Sequence, residues 1–592
     1  MFDALFTTTT EYKKLSHALS GKGACALFGL PASGRAQVYA ALCRQLDKPL
    51  CIVTPGEAEA TRFAADLNTL GIPAAVFPAR DYVLRPIEGT AREYEYRRLA
   101  VLGELVGGRL RAVAVPAEAL TQFTTPKEDF CANTRTLHTG DTLLRDDLLA
   151  ALFGAGYTRR AQVDGPGQFS VRGDIVDIFA PDQKMPVRME FWGDEIDTLH
   201  TFDLTTQRRE DAIDKFYLSP AREVLFGKPA DAAEQLRAFL AKQRGKKKTA
   251  MADCMAADLD LLDGGAVPVN MDKYLAVRYP HPATVLDYFD DPILVAEEPA
   301  SIREADRATA YRRGEELKSL ILDGVLCAGL DNLYADPSYL WSKTGHYRTI
   351  CAENFARSMP DQPLKDIINA PAHTLPAWNG EVAGLLEDLK PLCDAGYTVT
   401  LLAGTDRAAA GLARDLRDKG ILVTTDAAAA PAAGLVQVLA GHLSAGCEFP
   451  FAKYALLTGR AFGETSSQKK KRKKAKDALN SLTEITPGDL VVHQNHGIGR
   501  YAGIQRMAVQ GVTKDYLRIE YDKKDVLYVP VTQLDLLSRY TAPGDSENVK
   551  LSRLGGAEWT KTRKKVRAAT EQMAKELIEL YARRKRAHGH AF

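Results

Sequence analysis

Val491-Val492-His493-Gln494-Asn495-His496-Gly497-Ile498-Gly499-Arg500-Tyr501-Ala502-Gly503 opens the stretch that decides how this chain is organised. It continues through Asp515-Tyr516-Leu517-Arg518-Ile519-Glu520-Tyr521 and Val526-Leu527-Tyr528-Val529-Pro530. Three glycines punctuate alternating apolar positions, and β-branched or aromatic residues recur at period two, the pattern of short, strongly bent strands. About sixty residues suffice for one such small β-barrel to fold. At 592 residues, 45% hydrophobic and 26% charged, the chain has globular composition and room for about four domains of ~150 residues. Lys and Arg total 77 against 76 Asp and Glu, so nucleic-acid binding has to come from local patches, not from overall charge. Nine cysteines without a CxxC pair suit reduced thiols and predict neither disulfides nor a zinc site. No apolar run approaches the ~20 residues of a membrane span, and Met1 to Ser20 lacks a leader's apolar core, so a cytoplasmic protein is expected.

A second informative stretch lies near the start. Ala24 to Phe28 reads as a buried strand, Gly29 to Gly34 as a tight loop and Arg35 to Leu46 as a helix. A phosphate-binding loop of type GxxxxGK[ST] needs backbone N–H groups, a lysine for the β and γ oxygens and a hydroxyl for Mg²⁺. Gly29 and Gly34 keep the spacing, but Arg35 takes the lysine position and Ala36 the hydroxyl position, which predicts a degenerate loop without ATPase activity. Leu50–Thr54, 74–77 and 111–115 alternate with helical segments as in a parallel, RecA-like sheet. Glu297-Glu298 stands at the end of a further apolar strand, where an Asp-Glu pair would complete an ATP site, and is expected to cap that strand at the surface.

Gly165 to Phe179 and Val187 to Asp197 alternate apolar and polar residues between glycine turns, predicting a twisted antiparallel sheet. Taken alone, Arg172, Arg188 and Trp192 fit an interface of donor forks and an aromatic anchor. They equally fit a core tryptophan with arginines paired to Asp174, Glu190 or Asp194. Farther along, 396–403, 421–424 and 434–439 read as strands and 407–419 as an amphipathic helix of a second small α/β domain. Lys469 to Lys476 is a basic run that marks a linker. Trp559, Val566, Met573, Leu577 and Leu580 follow the spacing of a long C-terminal helix.

The wording of 491–530 resembles the polymerase-interacting domain of the bacterial transcription-repair coupling factor family, Mfd, a domain shared with the CarD family. The strands around Arg172 and Arg188 resemble the excision-repair protein UvrB, where this region binds UvrA. The resemblance spans essentially the whole chain and implies a multidomain α/β architecture. Residues 1–125 and 213–355 would form two parts of a degenerate RecA-like domain, and 126–212 an inserted UvrA-binding domain. A small α/β domain at 365–462 and a basic linker at 463–482 would follow. A polymerase-binding SH3/Tudor-like barrel at 483–548 and a connecting helix at 549–592, leading to a translocase not included here, would end the chain.

By the same resemblance Arg172, Arg188 and Trp192 fall on UvrA-contact positions, although the family often has Phe where this chain has Trp192. Tyr501 to Val509 is the expected edge for the RNA polymerase β subunit, with Tyr501, Ile504, Arg506 and Met507 as contacts. UvrB's damage-sensing hairpin is missing between Phe77 and Leu99, so Tyr82, Tyr94 and Tyr96 are expected to be packing residues. No cofactor is expected for this chain, since ATP and Mg²⁺ belong to the family's translocase, and DNA contact is expected to be weak at most. His493 and His496 are expected to be structural, since no carboxylate or cysteine completes a metal set. The function implied is that of a non-enzymatic adaptor that joins stalled RNA polymerase to UvrA and nucleotide excision repair. The rivals are a UvrB-like helicase subunit, which Arg35 and Ala36 oppose, and a CarD-like transcription regulator, which the UvrB-like strands oppose.

Overall fold

The computed structural model describes residues 5, 7–85, 92–355, 363–378, 382–430, 432–459, 487–493, 496–509, 512–522, 525–530, 537–540 and 551–553, some of them by backbone alone. Seven parallel strands form the first sheet, in spatial order Leu364–Asn369, Gly23–Phe28, Arg348–Glu353, Ile293–Glu297, Leu50–Thr54, Ala112–Pro116 and Ala74–Val76. The inner strands are mainly apolar on both faces, as a sheet covered by helices on both sides requires, whereas the edge strand Leu364–Asn369 carries Lys365, Asp366 and Asn369 exposed. Cys25, Leu27, Leu50 and Ile52 join the core under helices Ala32–Leu46 and Glu57–Thr69, while Ala24, Ala26, Cys51 and Val53 join the opposite core under Glu93–Val106. The strand Leu364–Asn369 pairs in parallel with Gly23–Phe28 and belongs to this sheet. The expected boundary at 365 is therefore displaced: the sheet takes one more edge strand before the chain leaves it.

The inserted domain is a six-stranded sheet in the order Arg209–Ala212, Glu195–Phe202, Val187–Trp192, Ile175–Phe179, Gln168–Arg172 and Thr158–Arg159. Helix Arg145–Gly154 covers its apolar face with Leu148 and Leu152. Strand Lys215–Leu218 returns to pair with Arg135–His138, placing Phe216 and Leu218 in the same core. The domain thus extends beyond residue 212, because its closing strand lies after the expected boundary. Much of the following segment is helical: Pro229–Ala241, Gly245–Asp263 and Pro299–Leu322 enclose a separate core with Met251, Met255 and Leu330. Where the damage-sensing hairpin would stand, no strand is found among the described residues between Val76 and Glu93, and Tyr82 is buried with its hydroxyl donating to the Phe123 carbonyl at 2.7 Å.

The first three units meet at a buried ionic cluster. Arg98, from helix Glu93–Val106, donates through Nε to Glu223 at 2.6 Å, and neither side chain is exposed. Arg80 lies 3.2 Å from the same carboxylate and makes a two-pronged contact with Asp272 at 2.7 and 3.1 Å. Asp272 also accepts from the Val83 amide at 2.7 Å, and Gln122 accepts from Arg98 at 2.8 Å.

The small α/β domain has six strands in the order His373–Leu375, Gly446–Phe449, Tyr454–Thr458, Thr398–Leu402, Val436–Leu439 and Val423–Thr424. Helix Asp406–Asp418 begins at Thr405, whose hydroxyl accepts the Ala408 amide at 3.2 Å. The last sheet is antiparallel throughout, in the order Val526–Pro530, Val512–Glu520, Gly497–Val509, Leu490–His493 and Leu537–Arg539. Its two outer strands are not paired with each other among the described residues, so the expected barrel is seen as a five-stranded sheet. The basic linker and the connecting helix at 554–592 lie outside the described residues.

Because Glu223 is buried beneath two guanidiniums, Glu223→Gln should lower the unfolding free energy by about 3–5 kcal/mol, the cost of stranding a buried charge. Chemical denaturation measures this, and a loss under ~1 kcal/mol would show the cluster to be incidental.

Candidate partner-binding sites

Period-two alternation along Val187–Trp192 sends Val187, Met189 and Phe191 into the core and Arg188, Glu190 and Trp192 to the opposite face. On the neighbouring strand Asp177 stands directly across from Arg188, and Ser170 directly across from Asp177 one strand further. Arg172 lies two residues along from Ser170, so both arginines reach one carboxylate. Asp177 accepts from Arg188 Nε at 2.7 Å and Nη2 at 2.9 Å, and from Arg172 Nη2 at 2.6 Å. Asp177 is completely buried, whereas the Arg172 side chain remains 48% exposed.

Arg188 is the more deeply held of the two. Its guanidinium lies 4.8 Å from the Phe202 ring and donates to the Gln207 carbonyl at 3.1 Å. The hydrogen bond to Asp177 raises its pKa further above the ordinary arginine value. Trp192, at the turn into the next strand, is 83% exposed. The alternative of a core tryptophan is thereby excluded, and the arginine partner is Asp177 in place of Asp174, Glu190 or Asp194. Asp174 lies 3.4 Å from Arg145, and Glu190 pairs with Arg209. The three residues share one face, with Arg188 as the inner support and Arg172 and Trp192 as its accessible members.

In the last sheet, Tyr501 is only 3% exposed and packs with Val491, Leu517, Ile519 and Leu537. It is a core residue and not a contact, because strand Gly497–Val509 is internal to the sheet at this position. Gly503, at φ +110°, takes up the register shift beyond Tyr501. From there to Val509 only Val512–Glu520 pairs with the strand among the described residues, leaving its other edge without a neighbouring strand. The side chains of Ile504, Arg506 and Met507 lie outside the described residues, although their backbones face Leu517, Asp515 and Lys514.

His493 is buried, its ring 4.7 Å from that of His496. His496 lies 3.4 Å from Glu93 of the first domain. Burial would raise Glu93, but the His496 contact outweighs it and holds the carboxyl at about 2. Burial and the neighbouring His496 push His493 down to about 4, opposed by Glu93. No group of three or more metal-ligating side chains occurs among the described residues.

The degenerate loop has become something else. Helix Ala32–Leu46 begins at Ala32, so Gly34 lies inside it and the expected Gly29-to-Gly34 loop is cut short. Buried Arg35 lies 3.1 Å from Glu297 and donates to Glu298 at 2.9 Å, while Tyr39 donates to Glu297 at 2.5 Å. Glu297 is therefore a buried partner of Arg35 and not a surface cap. Burial pushes its carboxyl up, against the pull of Arg35. A Cβ at Gly34 would meet the Cys447 sulfur at 2.9 Å and the Phe449 ring at 3.3 Å, because the small α/β domain packs against the helix here. Ser444 donates to Asp66 at 2.6 Å across the same contact.

These elements define a multidomain α/β chain that combines a parallel α/β sheet, an inserted antiparallel sheet carrying Arg172, Arg188 and Trp192 on one face, a small α/β domain and a five-stranded antiparallel module. Residues 136–224 match the UvrB interaction domain, and residues 485–541 the CarD-like/TRCF RID domain. The transcription-repair-coupling factor of Bacillus subtilis is 29% identical over 96% of this chain, and that of Staphylococcus haemolyticus 28% identical over 95%. A third, from Staphylococcus aureus strain MRSA252, is 27% identical over 95%. The chain spans about half the length of these relatives, 49% in each case. The chain is thus similar along nearly its whole length to about half of a transcription-repair-coupling factor, and carries matches to the UvrB interaction domain and the CarD-like/TRCF RID domain.

Asp177→Ala should destabilise the inserted domain by about 3–5 kcal/mol by leaving Arg188 without its counter-charge, while Trp192→Ala should stay within ~0.5 kcal/mol. Thermal unfolding compares them, and equal losses would contradict the division into support and exposed anchor. A second expectation concerns pH. Since the folded state holds His493 near 4 against an ordinary 6.5, its stabilisation is complete above about pH 6.5 and is lost as pH falls through 4. Protection factors of the Leu490–His493 amides, taken against the intrinsic exchange rate at each pH, should fall as pH drops across that window and become flatter in His493→Phe; wild-type protection that does not change with pH would rule the titration out.

Proposed function

We propose that this chain is the adaptor portion of a transcription-repair coupling factor. It binds RNA polymerase through the β subunit and recruits UvrA, so that a polymerase stalled at a DNA lesion is handed to nucleotide excision repair. The observation that carries the reading is the union, in one chain, of the UvrB interaction domain with its exposed Arg172 and Trp192 and the CarD-like domain, whose strand Gly497–Val509 pairs on one side only beyond Gly503 among the described residues. An exposed tryptophan on the same sheet face as a guanidinium already fixed by Asp177 has the makeup of an interface hot spot. An edge that pairs with no other strand among the described residues beyond Gly503 suits strand addition, with Ile504, Arg506 and Met507 supplying side-chain contacts.

The chain itself is assigned no catalytic role and no cofactor. Arg35, Glu297 and Tyr39 fill the place where a phosphate loop and metal would sit, which supports this assignment. ATP-driven translocation on DNA belongs, in this proposal, to the part of the relatives' length not matched here. The setting is cytoplasmic; no described helix is long and apolar enough to cross a membrane.

Purified chain should bind UvrA and core polymerase separately. Trp192→Ala should weaken UvrA binding about tenfold or more while sparing polymerase, and Met507→Arg should do the reverse. Loss of neither, in folded variants, would refute the two-site adaptor.

A further inference from the structure

Three large apolar side chains stand exposed among the described residues of the inserted domain: Trp192, Leu144 at 53% and Phe153 at 40%. Phe153 has a local reason, since its ring stands edge-on to the buried Phe169 ring at 5.2 Å. Leu144 occupies the capping position of helix Arg145–Gly154. Its carbonyl accepts the Asp147 and Leu148 amides at 3.0 and 3.1 Å, but its side chain makes no capping bond. Ser, Thr, Asp and Asn are favoured at this position because a side-chain oxygen takes up one of the helix's unpaired amides, a bond that leucine forgoes. The position thus holds a residue that serves its helix poorly, as residues kept for recognition do.

The segment leading into the helix brings Leu144 to the end of the sheet that carries Trp192. The Leu143 amide donates to the Asp194 carbonyl at 2.7 Å, Thr142 bridges to Glu195, and the Ile196 amide donates to the Asp141 carbonyl at 2.9 Å. Asp194 lies in the turn after Trp192, and Glu195 stands opposite Trp192 across that hairpin. Arg145, next to Leu144, donates from Nη1 to the carbonyl of Gly173, the residue that follows Arg172, at 3.0 Å. The Asp174 carbonyl in turn accepts the Phe191 amide at 2.9 Å. Segments 141–145, 172–174 and 191–196 are thereby stitched together at one end of the domain, and Leu144, Arg172 and Trp192 are all exposed on them. Phe153 lies at the other end of the helix, roughly 13 Å away at 1.5 Å per residue.

The geometry points to Leu144 as a second apolar anchor of the partner surface, continuous with Arg172 and Trp192 and docking on the same protein. The inference rests on the proposed recruitment of UvrA and extends it. The contact surface passes from the polar face of the inserted sheet round the end of the domain, so the partner it fits offers one apolar recess for the indole, a second for the leucine and an acceptor for Arg172. Two separated anchors fix the partner's orientation, where one alone would let it turn. Arg145 has a positioning role, because its bond to Gly173 joins the leucine segment to the turn behind Arg172.

The test compares UvrA binding and melting temperature for the whole chain as wild type, Leu144→Ser, Leu144→Met and Trp192→Ala. Serine supplies the missing cap and removes the anchor, so Leu144→Ser should keep or raise the melting temperature yet weaken UvrA binding about fivefold or more, with polymerase binding unchanged. Methionine keeps an apolar group of similar volume, so Leu144→Met should bind within about twofold of wild type. A leucine that served only the fold would not separate stability from affinity in this way. Unchanged affinity in Leu144→Ser beside a weakened Trp192→Ala, a Leu144→Ser loss that comes with a lower melting temperature, or equal losses in the serine and methionine variants would overturn the second anchor and leave the recruitment reading standing. UvrA binding that no substitution alters, or that wild type lacks, would overturn both.

Discussion

The shared carboxylate of Glu223 is the constraint on which the first half of the molecule depends. It lies just past the last strand of the inserted domain, yet its charge is neutralised by Arg98 from the parallel α/β domain and by Arg80, which in turn grips Asp272 of the helical segment. Three units with separate apolar cores are thus tied by one set of buried charges. A buried ion pair is a poor source of net stability, since desolvation opposes the Coulombic gain. Its value here is geometric. Hydrophobic contacts between domains tolerate sliding, whereas a guanidinium fork over a carboxylate admits one register. Stacking of Arg98 on Phe77 and of Arg80 on Tyr82, at 4.2 and 4.6 Å, fixes the planes of both forks.

The Arg35 cluster shows the same physics applied to a lost function. A phosphate loop of this type leads through an open glycine turn into its helix, and here the helix already begins at Ala32, with the Arg35 amide donating to the Pro31 carbonyl at 2.9 Å. The positive charge that would meet a phosphate meets Glu297 instead, and Tyr39 donates to the same carboxylate. The glycine remains, for a different reason: a neighbouring domain presses Cys447 and Phe449 onto the place its side chain would occupy.

Much of this was legible from residues alone. Continuous apolar runs gave the parallel strands, because a sheet covered on both faces needs no polar register. The replacement of a phosphate loop's lysine and hydroxyl by Arg35 and Ala36 could be read directly. What escaped depended on pairings distant in sequence. Nothing local marks Leu364–Asn369 as an edge strand of a sheet begun more than three hundred residues earlier, or Glu297 as the partner of Arg35. Asp177 was available as a signal, a single acid within an otherwise apolar strand, but the register that sets it opposite Arg188 is a tertiary fact. Tyr501 misled because alternation assigns a face without saying which face is covered, and the strand that bears it proved internal. Trp192 was the reverse case: lying two residues from Glu190 and four from Arg188, it was already placed on the polar side.

That placement bears on how the inserted sheet can bind a partner with little reorganisation. An arginine free in solvent surrenders up to ~2 kcal/mol of rotamer entropy when an interface fixes it. Arg172 has already yielded part of that to Asp177, which holds one end of the guanidinium while 48% of the side chain stays open to solvent. Trp192 has only two side-chain torsions to lose and carries its apolar area fully presented. Arg188 touches little solvent, but its contacts with Asp177, Phe202 and Gln207 keep the carboxylate from swinging toward Arg172 alone. The face is therefore organised in advance, so that under the proposed recruitment of UvrA little further ordering of Arg172 and Trp192 would be needed and more of the contact energy would go to affinity.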